Sequence, residues 1–135
     1  MNIYKAIKTE LGILAGRDCI LLDKTSFIRS KRSLILKGSI NNYITDKTQL
    51  EKRFSKYLLT FTGVLAFKVL ELDSWEEIID DEYFNVESSF DEISDSTWIK
   101  ELGGKANSSH HHYLVQTYDD VFNVVCAKYE FKVMR

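Results

Sequence analysis

Proline is absent from this chain, and glycine occurs only six times. No proline- or glycine-rich linker and no low-complexity stretch marks an internal boundary, so residues 1–135 are read as a single globular domain. Cysteine is nearly as scarce. Cys19 and Cys126 are too few for a disulfide framework and lack CxxC spacing, and each sits in an apolar run (DCILLD, VVCAKY), which predicts small buried hydrophobes in a reducing compartment. Long hydrophobic runs are missing too. An uncharged apolar run, LLTFTGVLAF from Leu58 to Phe67, is about half of the ~20 residues a bilayer span needs. The opening MNIYKAIKTELGILAGRD has no basic start leading into an uninterrupted apolar core. A soluble cytoplasmic protein without a membrane partner is expected.

Charge of one sign is also missing, but only locally. From Glu71 to Asp95 there are eleven carboxylates and not one lysine or arginine, whereas the whole chain carries only −2. The rest of the chain therefore sums to +9, with six of its cations lying between Arg17 and Lys37. Segment charge is the unusual property here.

Helical spacing of Ile3, Ile7, Leu11 and Leu14 ahead of Gly16 predicts an opening helix. CILL and SLILKGSI read as strands. Asp46 with Gln49 predicts a capped short helix carrying Leu50, Phe54 and Tyr57 inward. YLLTFTGVLAFKVLELD, rich in aromatic and branched residues, predicts one long bent strand or two strands broken near Gly63. Ser74 to Glu77 has capping-box spacing, and a helix over 75–82 would bury Trp75, Ile78 and Ile79 and turn Glu76, Glu77, Asp80 and Asp81 outward. SDSTWIKELGGK predicts another helix ended by Gly103. HHHYLVQT and VFNVVCAKYEFKV predict a C-terminal β-hairpin turned at Tyr118, Asp119 and Asp120. The expected fold is α+β: a twisted antiparallel β-sheet or partly open barrel of five to seven strands with three to four short helices. Trp75, Trp98, Phe61, Phe67, Leu36, Val124 and Leu114 are the expected core.

Catalytic signatures are lacking: there is no GxSxG, no glycine-rich phosphate loop and no HExxH. His110 and His112 alternate, so a strand would point both to one face, where with nearby carboxylates they could share a divalent metal. This supports the alternative of a metal-dependent enzyme; otherwise no cofactor is expected. SFIRSKRSLILK concentrates cations, but the acidic cluster opposes phosphate, and nucleic acid is not an expected partner.

The run STWIKELGGKANSSHHHYLVQTYDDVFNVVCAKYEF resembles the ending of small single-domain bacterial proteins, in which a Ser-x-Trp helix precedes a His-Tyr strand, a Tyr-Asp turn and a Val-Phe-x-Val-Val strand. Some of these resemble immunity proteins of polymorphic toxins. Asn123 stands where such a relative would more often carry glutamate. The resemblance implies non-enzymatic binding. A protein-binding module is therefore expected, an immunity-type inhibitor meeting a basic toxin domain with Glu76, Glu77, Asp80, Asp81, Glu82 and Glu87. Opposite charged patches on one chain also allow a homodimer.

Overall fold

The computed structural model describes residues 2–42, 53–78 and 88–134, and of residues 76–78 the backbone alone. It is built mostly of strands: β1 (Ile3–Ala6), β2 (Lys8–Thr9), β3 (Gly12–Ile13), β4 (Ile20–Ile28), β5 (Ser33–Asn41), β6 (Phe54–Thr62), β7 (Ala66–Glu71), β8 (Phe90–Ser94), β9 (His111–Gln116), β10 (Asp120–Cys126) and β11 (Lys128–Met134). Among the described residues there are two α-helices, α1 (Leu72–Ile78) and α2 (Thr97–Leu102), and one 3-10 turn at Arg29–Lys31.

Every pairing is antiparallel. One sheet has the order β1-β8-β9-β10-β7, another β11-β6-β5-β4, and β2-β3 form a two-stranded ribbon. The α+β expectation with three to four helices is thereby corrected to a mostly β fold, and among the described residues no sheet closes into a barrel. Ile3 to Leu14 shows why. The i,i+4 spacing of its aliphatic residues is also compatible with alternation, and tertiary pairing decides: Tyr4 lies opposite Ile93 and Ala6 opposite Asp91, with Ile3 and Lys5 outward. Phe54 and Tyr57, expected on a helix, belong to β6, while 46–52 fall outside the described residues.

Two strands change sheet at one corner. β6 leads through Gly63 into β7, and β10 leads through Ala127 into β11. β6 pairs with β11 and β7 with β10, so the ladder continues around the bend through Ala127 N–H to Thr62 O (3.1 Å) and Leu65 N–H to Val125 O (2.8 Å). The break near Gly63 is thus in place. Gly63 has φ +64°, and a Cβ there would stand 2.8 Å from the Ala127 Cβ. Folded at this corner, the two larger sheets share one core holding Leu34, Leu36, Tyr57, Leu59, Phe61, Phe90, Tyr113, Val115 and Val124. Aromatic pairs cross it: Phe61 to Tyr113 at 5.8 Å, Phe90 to Tyr129 at 5.3 Å and Phe27 to Phe67 at 5.1 Å between centroids.

The five-stranded sheet is covered on its other face as well. Leu72 and Trp75 of α1 pack there against Ile93, Leu114 and Val121. For this reason β10 is buried at nearly every position, whereas β11, covered on one face, alternates exposed Lys128, Glu130 and Lys132 with Tyr129, Phe131 and Val133. Of the expected core, Trp75, Phe61, Leu36, Val124 and Leu114 are buried, and Trp98 and Phe67 are half-buried. No helix among the described residues is long and apolar enough to cross a membrane.

Candidate functional site

The acidic run enters from α1. Leu72 continues directly from β7, its N–H held by the Asp119 carbonyl (2.8 Å). The helix starts earlier than the Ser74 capping box suggested, and Glu71 supplies the cap: its carboxylate accepts from the N–H groups of Asp73 (2.7 Å) and Ser74 (3.3 Å). Arg17 lies 3.9 Å from Asp73, donates to the Tyr118 carbonyl (3.1 Å) and covers the Tyr118 ring, tying the start of α1 to the β9–β10 turn. That turn is clasped by Thr117, whose hydroxyl accepts from Asp120 N–H at 3.0 Å, rather than by the aspartate side chains. Trp75 is buried as expected. Glu76 and Glu77 lie on the α1 backbone; Asp80, Asp81, Glu82 and Glu87 lie outside the described residues.

Where the chain is next described, it is fastened again. Ser89 N–H donates to the Leu14 carbonyl (2.6 Å), the Ser89 hydroxyl to Gly16 O (3.1 Å), and Gln116 N–H to Ser89 O (2.8 Å). Ser88, Ser89 and Phe90 are all buried.

The histidines separate. β9 begins at His111, so His110 precedes the strand, and its Nδ1 accepts the Asn107 N–H at 3.1 Å. His111 faces the opposite side from His112. Its Nδ1 is 3.1 Å from Glu92 Oε2 across the β8–β9 pair, and its ring stacks at 5.9 Å on Tyr113. His112 is 4% exposed under α2, with both ring nitrogens engaged: Nδ1 to Ser96 Oγ and Nε2 to Asn123 Oδ1, each at 2.8 Å. As Oδ1 only accepts, Nε2 carries the proton and the Ser96 hydroxyl donates to Nδ1 while accepting the Ile99 N–H that caps α2. Burial, reinforced by the Lys68 ammonium and only partly offset by Asn123, pushes the His112 pKa down to about 4. The imidazole is neutral and fully used. His110 and His112 do not converge, and among the described residues no three His, Cys, Asp or Glu side chains group as metal ligands.

Beside this relay the same face holds polar atoms with no hydrogen-bond partner among the described residues: both Asp91 carboxylate oxygens, Trp75 Nε1 and Asn123 Nδ2. Asp91 is fully buried and its pKa is pushed up to about 6 by desolvation; Ser88, whose hydroxyl is committed to the Phe90 carbonyl, offsets this only in part. Burial also pushes the thiols of Cys19 and Cys126 up to about 11 and about 12, so neither is a ready nucleophile.

Two grooves meet at Asn107 and His110. One, of about 380 Å³, runs past Glu92, Ser96, Lys100 and His111; the other, of about 750 Å³, runs past Arg32, Val64 and Lys105 at the sheet corner. Sequence reasoning did not single out Ser96 as a partner of His112 or Lys105 as a groove residue, because both roles depend on residues distant along the chain.

No family model matches the chain, and neither a curated protein nor a solved structure does.

Proposed function

We propose that this chain is a cytoplasmic, non-enzymatic protein-binding module, an immunity-type inhibitor that occludes a basic toxin domain with its acidic run. The supporting observation is the fastening on either side of that run. Residues 76–87 contain six carboxylates and no cation, and they are bounded by buried Leu72 and Trp75 before and by buried Ser88, Ser89 and Phe90 after, both on the five-stranded sheet. Concentrated like charge costs stability through self-repulsion, and a cationic surface relieves it while speeding encounter and selecting the partner. A metal-dependent enzyme is the weaker reading, because His112 has no free nitrogen to offer.

The test is capture of a partner at graded salt by the natural chain and by a variant with Glu76, Glu77, Asp80 and Asp81 all changed to lysine. The captured protein should be basic, should be released as salt rises, and should be lost to a variant that still folds by circular dichroism. Equal capture by the folded variant overturns the proposal.

A further inference from the structure

At the corner where two strands change sheet, the larger groove is lined by Arg32, Val64, Gly104, Lys105, Asn107 and His110, among others, and none of its lining residues is a carboxylate. Arg32 forms one wall. Its backbone is left-handed (φ 47°), a conformation that costs a side chain energy and is normally left to glycine. Its guanidinium is fixed in place without an acidic partner among the described residues. Nε donates to Val64 O (2.9 Å), Nη2 donates to Leu65 O (3.3 Å), the plane lies 5.1 Å over the Phe27 ring, and Val64 N–H returns to Arg32 O (2.9 Å). Among the described residues these bonds leave the Nη1 protons of the fork unspent.

The other wall is the loop after α2. Lys105 forms no ion pair among the described residues. His110 accepts a backbone N–H at Nδ1, which places the proton of the neutral ring on Nε2 and makes that atom a donor. Every charged or titratable side chain of the groove therefore offers donors. In the adjoining groove Glu92 is matched by His111 and Asp95 by Lys100, so those carboxylates are already answered locally.

We propose that this corner groove binds the oxyanion head, phosphate or carboxylate, of a small molecule. A fixed guanidinium fork sharing one groove with a lysine and an imidazole N–H is the donor set that such a head accepts from, and about 750 Å³ leaves room for an organic remainder. The groove sits at the Ala66 end of β7, whereas the acidic run follows its Glu71 end, so this site is independent of the toxin-binding reading.

The experiment is an amide NMR titration with inorganic phosphate and, separately, with acetate, at ionic strength held constant with sodium chloride. One of the two anions should give saturating shifts at Gly104, Lys105 and His110, and the anion that does so identifies the head group. In the double variant Lys105→Ala, His110→Gln the dissociation constant should rise roughly tenfold or more, with the melting temperature unchanged; Arg32 is left in place because it also holds the corner. Shifts that never saturate for either anion, or saturation at the same concentration in the variant, overturn the proposal.

Discussion

His112 Nε2 and Asn123 Oδ1 lie 2.8 Å apart across the β9–β10 ladder, and this bond fixes the tautomer of a histidine that is almost wholly buried. It also makes the side of the five-stranded sheet beneath the helices partly polar, with Asp91 two strands from Asn123 on the same row. The stability of the fold should depend on this face in ways that can be measured.

Replacing His112 with alanine removes a ring and strands two polar groups, Ser96 and Asn123. The unfolding free energy should fall by roughly 3 kcal/mol in urea titration, more than a typical core truncation of similar volume on the β11 face. A loss under about 1 kcal/mol would mean that the relay does not hold the sheet and helix together.

Asp91 and His112 should oppose one another in pH dependence. The Asp91 pKa is raised from 3.8 to about 6, so its contribution is fully present below 3.8 and is lost as pH rises through 6. The His112 pKa is lowered from 6.5 to about 4, so its contribution is present above 6.5 and is lost as pH falls through 4. Each is worth about 3 kcal/mol and acts over nearly the same window, so between them they should largely cancel. Asp91→Asn removes one arm: chemical denaturation should then show stability falling by up to about 3 kcal/mol from pH 6.5 to 4, and a higher stability than the natural chain at pH 7. A variant whose pH profile matches the natural one contradicts the Asp91 assignment, and a variant profile flat between pH 6.5 and 4 contradicts that of His112.

Ser96→Ala takes away the cap on Ile99 and the hydrogen-bond donor to His112 together. The expected cost is about 2 kcal/mol, with amide exchange accelerated first in α2. Serine-to-alanine change at exposed Ser108 should leave both measurements where they are.

Gly38 faces the β-bulge of β4, where the register shifts between Leu22 and Lys24, and an added Cβ would lie 1.8 Å from the Leu21 carbonyl oxygen. Gly38→Ala should cost roughly 3 kcal/mol or more, or prevent folding in expression trials, and Gly63→Ala should cost less because its clash is with a single methyl.

Trp75→Ala tests the anchor of the acidic run. Loss of a buried indole should cost about 3 kcal/mol or more in stability, and under the proposed function capture of a basic partner should weaken even at temperatures where the sheets remain folded by circular dichroism.

Local chemistry was legible wherever a residue type has one strong use. Ser96 capping α2, Gly103 ending it, the turn before Asp120 and the break at Gly63 all follow from hydrogen-bonding capacity or permitted φ within a few residues. The helix expected over Ile3 to Leu14 failed because the same aliphatic residues satisfy either period until a partner strand selects one. For the histidines, alternation grouped His110 with His112, but the strand starts one residue later and Ser96 and Asn123, distant in sequence, claim the buried ring.

What the sequence by itself determined is therefore the charge distribution, the punctuation of the chain and most of its large apolar core, since these depend on composition and neighbouring residues. The tertiary structure decided the rest. The β10–β11 segment bends from a sheet covered on both faces into one covered on one, and Arg32 lines the same groove as Lys105 and His110, because pairing partners far apart along the chain settle register and facing.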